Sequence, residues 1–342
     1  MSAELKLSAP PQRVLLCRTD RLGDVVLALP CAALLRRLFP ACHISFLVQE
    51  YTAPIVELYP VVDRVIAIQL EAGWRGILQK IEGGNFDAAI LLYPDRQVTK
   101  AVKASGVPMR TGIAYRWHSW QYTYRHREHR KHNLKHEAEY NLSLTYAAFF
   151  SSGDWSDSLR KEELYPLKLE IPVQVKSEVD ARVADINAEG SRVFALHPGG
   201  GGSAHRWPLE YFCRAAQELV KDSNVKLIVT GSAVEKNLCS AVASSGGSQA
   251  HNLCGRLSLQ GLAELYRRCD LLLTNSTGPL HLAVMMGTKV LGLFPRDHAM
   301  SPLRWGPYGL QDQVLMPPEG GTMQDLTVET VTGRIKDLCE RP

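Results

Sequence analysis

Long apolar runs are missing from this chain. None of its 342 residues lies in a stretch approaching the roughly 18 apolar residues that a membrane-spanning helix requires. Signal-peptide character is missing too: Val14-Leu15-Leu16-Cys17 runs straight into Arg18, Asp20 and Arg21, so no leader is expected. Paired cysteine spacing is absent. The cysteines at 17, 31, 42, 213, 239, 254, 269 and 339 never form CxxC, which reads as reduced, mostly buried thiols of a cytoplasmic protein. There is no GK[ST] nucleotide loop and no convincing DxD pair to hold a metal. The net charge of +4 is too mild to imply nucleic acid.

What is present is a two-part α/β grammar. Apolar residues make up 45% and charged residues 22%, the balance of a globular protein, and the length suits two domains. Short apolar runs at 13–17, 43–48, 64–68 and 87–92 predict strands, with helical patterns from about 24, 74 and 96. The pattern restarts with strands near 193–197, 226–230, 270–274 and 289–294. Between the halves lies a polar stretch from Ser151 to Ser158, then Pro166 and Pro172, which puts the linker near 166–175. Two Rossmann-like domains with parallel sheets facing a central cleft are expected. The loops after the strands should then hold the chemistry.

The first such loop carries Asp20, Gly23 and Asp24. Asp24 at a helix start reads either as a cap for orphan N–H groups or as a general base, with Asp20 the competing carboxylate. In the second half, His197-Pro198 leads into four glycines, Gly199 to Gly202, then Ser203-Ala204-His205-Arg206-Trp207-Pro208. Such a run is costly in chain entropy unless bare backbone is needed, as it is where main-chain N–H groups meet a diphosphate; otherwise it is a flexible surface loop. Arg206, or a protonated His205, would offset phosphate charge. Thr274-Asn275-Ser276-Thr277-Gly278-Pro279 ends another strand and opens a helix, whose N-terminus suits an anion. His281, one turn in, is either a core histidine or a ligand. Glu235 follows the strand at 226–230, where an acid commonly binds ribose hydroxyls.

Arg18-x4-Gly23-Asp24, His197-Pro198-Gly199 with Arg206-Trp207-Pro208, and Asn275-Ser-Thr-Gly278-Pro-Leu-His281 together resemble glycosyltransferase family nine, the lipopolysaccharide heptosyltransferases, from about residue 13 to 335. The resemblance implies a GT-B fold and an inverting, metal-independent transfer of heptose or a related sugar from an ADP-sugar to an anionic lipopolysaccharide-core acceptor. It implies no cofactor. By the same resemblance Asp24 is the base, Glu235 binds ribose, and Gly200, Gly201, Thr277 and Gly278 bind phosphate. His205 replaces a Lys common in the family, and Ser276 stands where well-studied members carry a sugar-binding Asp. The implied layout is an acceptor domain over 1–170 and a nucleotide-sugar domain over 171–324, with a helix at about 325–342 packing back on the first. A nucleotide-sugar epimerase of the same fold and a catalytically silent sugar-nucleotide binder stay open.

One segment stands apart. Residues 116–136 hold six Arg or Lys, five His and one acid, interleaved with Trp117, Trp120, Tyr122 and Tyr124. The histidines are interrupted by cations that would repel a metal. The segment reads as a solvated basic face, or as a patch for an anionic glycolipid acceptor or the inner-membrane surface, with Arg125, Arg127 and Arg130 as acceptor contacts. No nucleic-acid motif accompanies it.

Overall fold

The computed structural model describes residues 4–184, 186, 190–200 and 205–340. They form two compact units, one of residues 1–164 and 168–170, the other of 165–167 and 171–342. The chain passes between them in short steps: Leu167 N–H donates to Met285 O, and Glu170 N–H then donates to Leu58 O.

In the first unit, β1 (Arg13–Cys17), α1 (Leu22–Val26), α2 (Pro30–Leu38), β2 (His43–Gln49), α3 (Ala53–Val56) and β3 (Arg64–Ile68) come first. Next follow α4 (Gly73–Ile81), β4 (Ala88–Leu91), α5 (Arg96–Ala104), β5 (Met109–Ile113), β6 (Tyr124–His126) and α6 (Glu137–Phe149). The strands are parallel, in the order β3-β2-β1-β4-β5-β6. Val14, Leu15, Leu16 and Cys17 are all buried, as expected of a central parallel strand covered on both faces. The helix expected from about 24 breaks at 27–29, because Pro30 has no N–H to continue the ladder and instead starts α2. Asp95 caps α5, accepting from Gln97 N at 2.7 Å and Val98 N at 2.9 Å.

The second unit has α7 (Val173–Val183), β7 (Arg192–His197), α8 (Leu209–Leu219), β8 (Val225–Val229), α9 (Lys236–Ser245) and β9 (Ala250–Asn252). It continues with α10 (Leu259–Arg267), β10 (Leu271–Asn275), α11 (Gly278–Met286), β11 (Lys289–Leu293), α12 (Pro302–Trp305), β12 (Val314–Leu315) and α13 (Val328–Glu340). The order β12-β11-β10-β7-β8-β9 repeats the first sheet's, since the first and fourth strands of each unit lie side by side. That is the Rossmann order. It puts a topological switch point between β1 and β4 and another between β7 and β10, where crossovers leave in opposite directions and a crevice opens.

The terminal helix α13 falls within the second unit and packs on α8. Val328, Val331, Ile335 and Leu338 recur on one face and are buried with Phe212 and Leu219. Trp207, 1% exposed, locks the approach to α13: its indole N–H donates to Leu326 O at 2.7 Å and its ring meets Phe212 edge-on at 4.9 Å. Trp207→Ala should therefore destabilise the second unit by about 3–5 kcal/mol through the cavity and the lost bond. Urea unfolding followed by circular dichroism checks this, and an unchanged midpoint would mean the indole is not a structural tie.

Candidate active site

At the first switch point the β1 strand ends in Arg18, whose side chain is 3% exposed. A guanidinium in that position cannot leave its donors unmet. Its Nε donates to Asp20 Oδ1 at 2.7 Å, Nη2 to Asp24 Oδ1 at 2.7 Å, and Nη1 to Glu137 Oε1 and Asn141 Oδ1, each at 3.0 Å. Glu137 and Asn141 project from one face of α6, four residues apart. The Asn141 amide also donates to Leu27 O at 3.2 Å, tying α6 to the turn after α1. From β2, Gln49 Nε2 donates to Thr19 O at 2.7 Å and Tyr51 O–H to Asp20 O at 3.0 Å, so the loop backbone is latched.

Asp24 is the third residue of α1, whose N-cap is Arg21 with no side-chain cap bond. Its carboxylate serves Arg18, so the capping reading is set aside. Among the described residues Oδ2 of Asp24 accepts no hydrogen bond. Asp20 differs. Burial pushes its carboxyl up and the Asp24 charge adds to that, against the pull of Arg18, leaving it at about 6. Arg18 itself stays protonated: burial opposes its charge, but the three carboxylates outweigh burial.

Sequence reading missed Glu137 and Asn141. Their signal was an acid and an amide four residues apart at the start of the helical stretch 137–149, a spacing that puts both on one face. The missing partners also redefine Arg130. Its Nη1 donates to Glu137 Oε1 at 2.5 Å and Asn141 Oδ1 at 3.1 Å, and its side chain is 13% exposed. Arg125, on β6, and Arg127, just after it, are exposed. The single acid of the segment, Glu128, is already neutralised by Lys135 at 2.6 Å, and its other oxygen lies 3.2 Å from His126 Nε2.

The second switch point gathers Gly200, Arg206, Glu235 and Thr277. A Cβ on Gly199 would fall 1.9 Å from Glu235 Oε1, so only glycine fits against that carboxylate. Gly200 N–H donates to Glu235 Oε1 at 2.9 Å, and Arg206 Nη2 donates to Gly200 O at 2.5 Å. A Cβ on Gly200 would stand 3.1 Å from the Thr277 methyl. Ser232 gives its N–H and O–H to Glu235 Oε2 at 2.8 and 2.7 Å. Burial pushes the Glu235 carboxyl up, but the Ser232 bonds, the adjacent His197 and the Gly200 N–H hold it below its ordinary value. His197 is buried, which drops its imidazole to about 4 and keeps it neutral; its Nδ1 lies 3.0 Å from Thr230 Oγ1.

Asn275 stitches the two loops together. Its Oδ1 accepts from Trp207 N at 3.0 Å and its amide donates to Pro198 O at 3.1 Å. Thr277 is the N-cap of α11, with its hydroxyl 3.1 Å from that of Thr274. Ser276 and Gly278 flank it, half-buried, and His281 is buried in the first turn. His205 is exposed beside Arg206. Gly201 lies outside the described residues.

The raised Asp20 carboxyl makes a pH prediction. A folded-state pKa of about 6 against an ordinary 3.8 means that folding binds a proton between those values. The group's contribution is therefore most favourable at low pH, falls as pH rises from about 4 through about 6, and stays unfavourable above. Asp20→Asn, which keeps an acceptor for Arg18 Nε without ionising, should flatten that fall in urea titrations from pH 4 to 7. An unchanged slope would mean that Asp20 is ionised throughout.

Similarity to known proteins identifies the family. A family model described as glycosyltransferase family 9 (heptosyltransferase) matches residues 74–335. The glycosyl transferase family 9 structure from Veillonella parvula superposes with a TM-score of 0.80 at 20% identity, covering 97% of this chain and 98% of that one. Escherichia coli ADP-heptose LPS heptosyltransferase II superposes with a TM-score of 0.78 at 18% identity, covering 96% and 98%. A lipopolysaccharide core heptosyltransferase of Haemophilus influenzae is 22% identical over 89% of this chain and 84% of its own. The two parallel six-stranded sheets are those of the GT-B fold. Of the readings left open by the loops, the family match selects sugar transfer over epimerisation or silent binding. A match over most of its length makes this chain a member of glycosyltransferase family 9, the heptosyltransferase family.

Proposed function

We propose that this transferase moves heptose, or a related sugar, from an ADP-sugar to an anionic acceptor of the lipopolysaccharide-core type, with inversion and without a metal ion. The observation that carries the reading is the anion-ready arrangement at the second switch point: bare backbone at Gly199 and Gly200, the N-terminus of α11, and the Arg206 cation. The donor identity follows the Escherichia coli relative, whose name specifies ADP-heptose. The Gly200 N–H is held by Glu235 here. When a ribose hydroxyl donates to Glu235, that N–H becomes available to the diphosphate, so one event prepares the next. Gly201, Thr277, Gly278 and His205 complete the phosphate contacts, and Ser276 faces the sugar.

Asp24 Oδ2 takes the proton of the acceptor hydroxyl as its oxygen attacks the anomeric carbon. The bond to the diphosphate breaks on the opposite face, which inverts the centre, and ADP leaves with the electron pair. Each prepared donor on the leaving oxygens is worth about 10²–10³ in rate. Arg206 and the helix N-terminus supply the neutralisation for which a divalent ion would otherwise be needed. Arg125 and Arg127 contact the anionic acceptor. Arg130 acts through Glu137 and Asn141, so its removal would disturb the Arg18 network instead of testing acceptor capture. The reading carries a cytoplasmic location with peripheral contact at the inner membrane, where a glycolipid acceptor lies.

The test is transfer from ADP-heptose to a phosphorylated core-type acceptor in the presence of EDTA, read by mass spectrometry and by the anomeric coupling of the product. One sugar added, with inverted configuration and an EDTA-insensitive rate, is expected. Arg125→Ser with Arg127→Ser should raise the acceptor KM about tenfold in low salt and leave donor binding intact. Transfer from a UDP-, GDP- or CDP-sugar in place of the ADP-sugar would overturn the donor assignment, and loss of transfer in EDTA would overturn metal independence.

A further inference from the structure

Helix α5 carries a feature that the transfer chemistry does not use. Arg96, Lys100 and Lys103 lie at i, i+4 and i+7 on its exposed face, while Val98, Ala101 and Val102 bury the other. Each of the three cations sits over a different indole. Arg96 is 5.0 Å from the Trp117 ring centre, Lys100 is 4.1 Å from Trp74, and Lys103 is 4.1 Å from Trp120. Trp117 is 70% exposed and Trp120 is 61% exposed, although indole is the side chain that gains most from leaving water. The loop bearing them is fixed from below. His118 is buried with its ring edge-on to Trp117 at 5.6 Å, Ser119 O–H donates to Ala114 O at 2.9 Å, and the Tyr122 hydroxyl lies 3.2 Å from Thr99 Oγ1.

We propose that this face of α5 docks on the headgroup layer of an anionic lipid bilayer. Indoles settle at the depth of the headgroups, where the ring is dehydrated and its N–H stays wet, while Lys and Arg meet lipid phosphates. Cations and indoles side by side on one exposed face match that layer in both respects. No helix among the described residues is long and apolar enough to cross a membrane, so the contact is peripheral. Attraction to an anionic surface tightens binding about fivefold per cation and weakens with salt. The inference rests on the glycolipid-acceptor reading for its biological sense, but its physical claim is separable from transfer.

The experiment is co-flotation of the whole chain with vesicles of phosphatidylcholine alone or mixed with phosphatidylglycerol, together with tryptophan quenching by brominated phosphatidylcholine in the mixed vesicles. Partition to the mixed vesicles, quenching, and weakening by salt are expected. Lys100→Ser with Lys103→Ser should weaken partition about 25-fold. Trp117→Ala with Trp120→Ala should weaken it about tenfold and remove most quenching; being exposed, these residues leave the core intact. Transfer to a delipidated soluble acceptor should be unchanged in both variants. Partition that is absent, or equal in the variants, would overturn the inference. So would binding of a soluble sulfated oligosaccharide through these residues without vesicle partition, which would assign the face to a glycan. Vesicle binding through these residues without sugar transfer would uphold the docking face and count against the acceptor reading alone.

Discussion

A guanidinium buried at the end of β1 is the constraint from which the first unit's site follows. Desolvating Arg18 is expensive, and only a matched set of acceptors makes the position tolerable. Asp20, Asp24, Glu137 and Asn141 supply them, drawn from two loop positions and one face of α6. Because each acceptor is fixed by the same ion, the loop after β1, the start of α1 and the start of α6 hold one another in register. Without Arg18 these acceptors lose the donor that they share. Asp24 thereby obtains a fixed orientation, with one oxygen held by Arg18 and the other accepting no hydrogen bond among the described residues.

The second unit meets a comparable demand in another way. There the proposed anion site combines backbone, a helix end and the Arg206 cation, and a negative side chain, Glu235, lies among them. A carboxylate next to amides meant for phosphate looks contradictory until its hydrogen bonds are counted. Glu235 is satisfied by Ser232 and Gly200, which spares the Gly200 N–H from being an unpaired donor. In the proposed reaction donor entry is an exchange of hydrogen bonds; the tight fit of Gly199 against the same carboxylate fixes how close the loop lies to it.

How much was legible in the sequence follows from what each signal depends on. Central strands announced themselves as unbroken apolar runs, and the Rossmann-like pairing followed from their spacing. The strands β5, β6, β9 and β12 gave no comparable signal. They are short, and β6 is buried inside a run of cations that reads as a charged face. The need for bare backbone at Gly199 was readable, but its partner was not: Glu235 comes 36 residues later, and the contact exists only once β7 and β8 pair. The same holds for Asp24, placed at the helix start but read as a cap or a base without the partners that hold it. Its holder Arg18 is local, whereas Glu137 and Asn141 lie 119 and 123 residues from that arginine. Arg130 shows the limit of charge counting, which does not reveal that this cation pairs with the buried Glu137.

The central claim is that Asp24, oriented by Arg18, removes the acceptor's proton. Single-turnover transfer by Asp24→Asn, measured with ADP-heptose binding by calorimetry on the same preparation, tests it most directly. The account predicts a rate lower by about two to four orders of magnitude with donor affinity and folding intact, because the amide keeps an acceptor for Arg18 but cannot take a proton. A variant that folds, binds donor and transfers within a few-fold of the unmodified rate would contradict it.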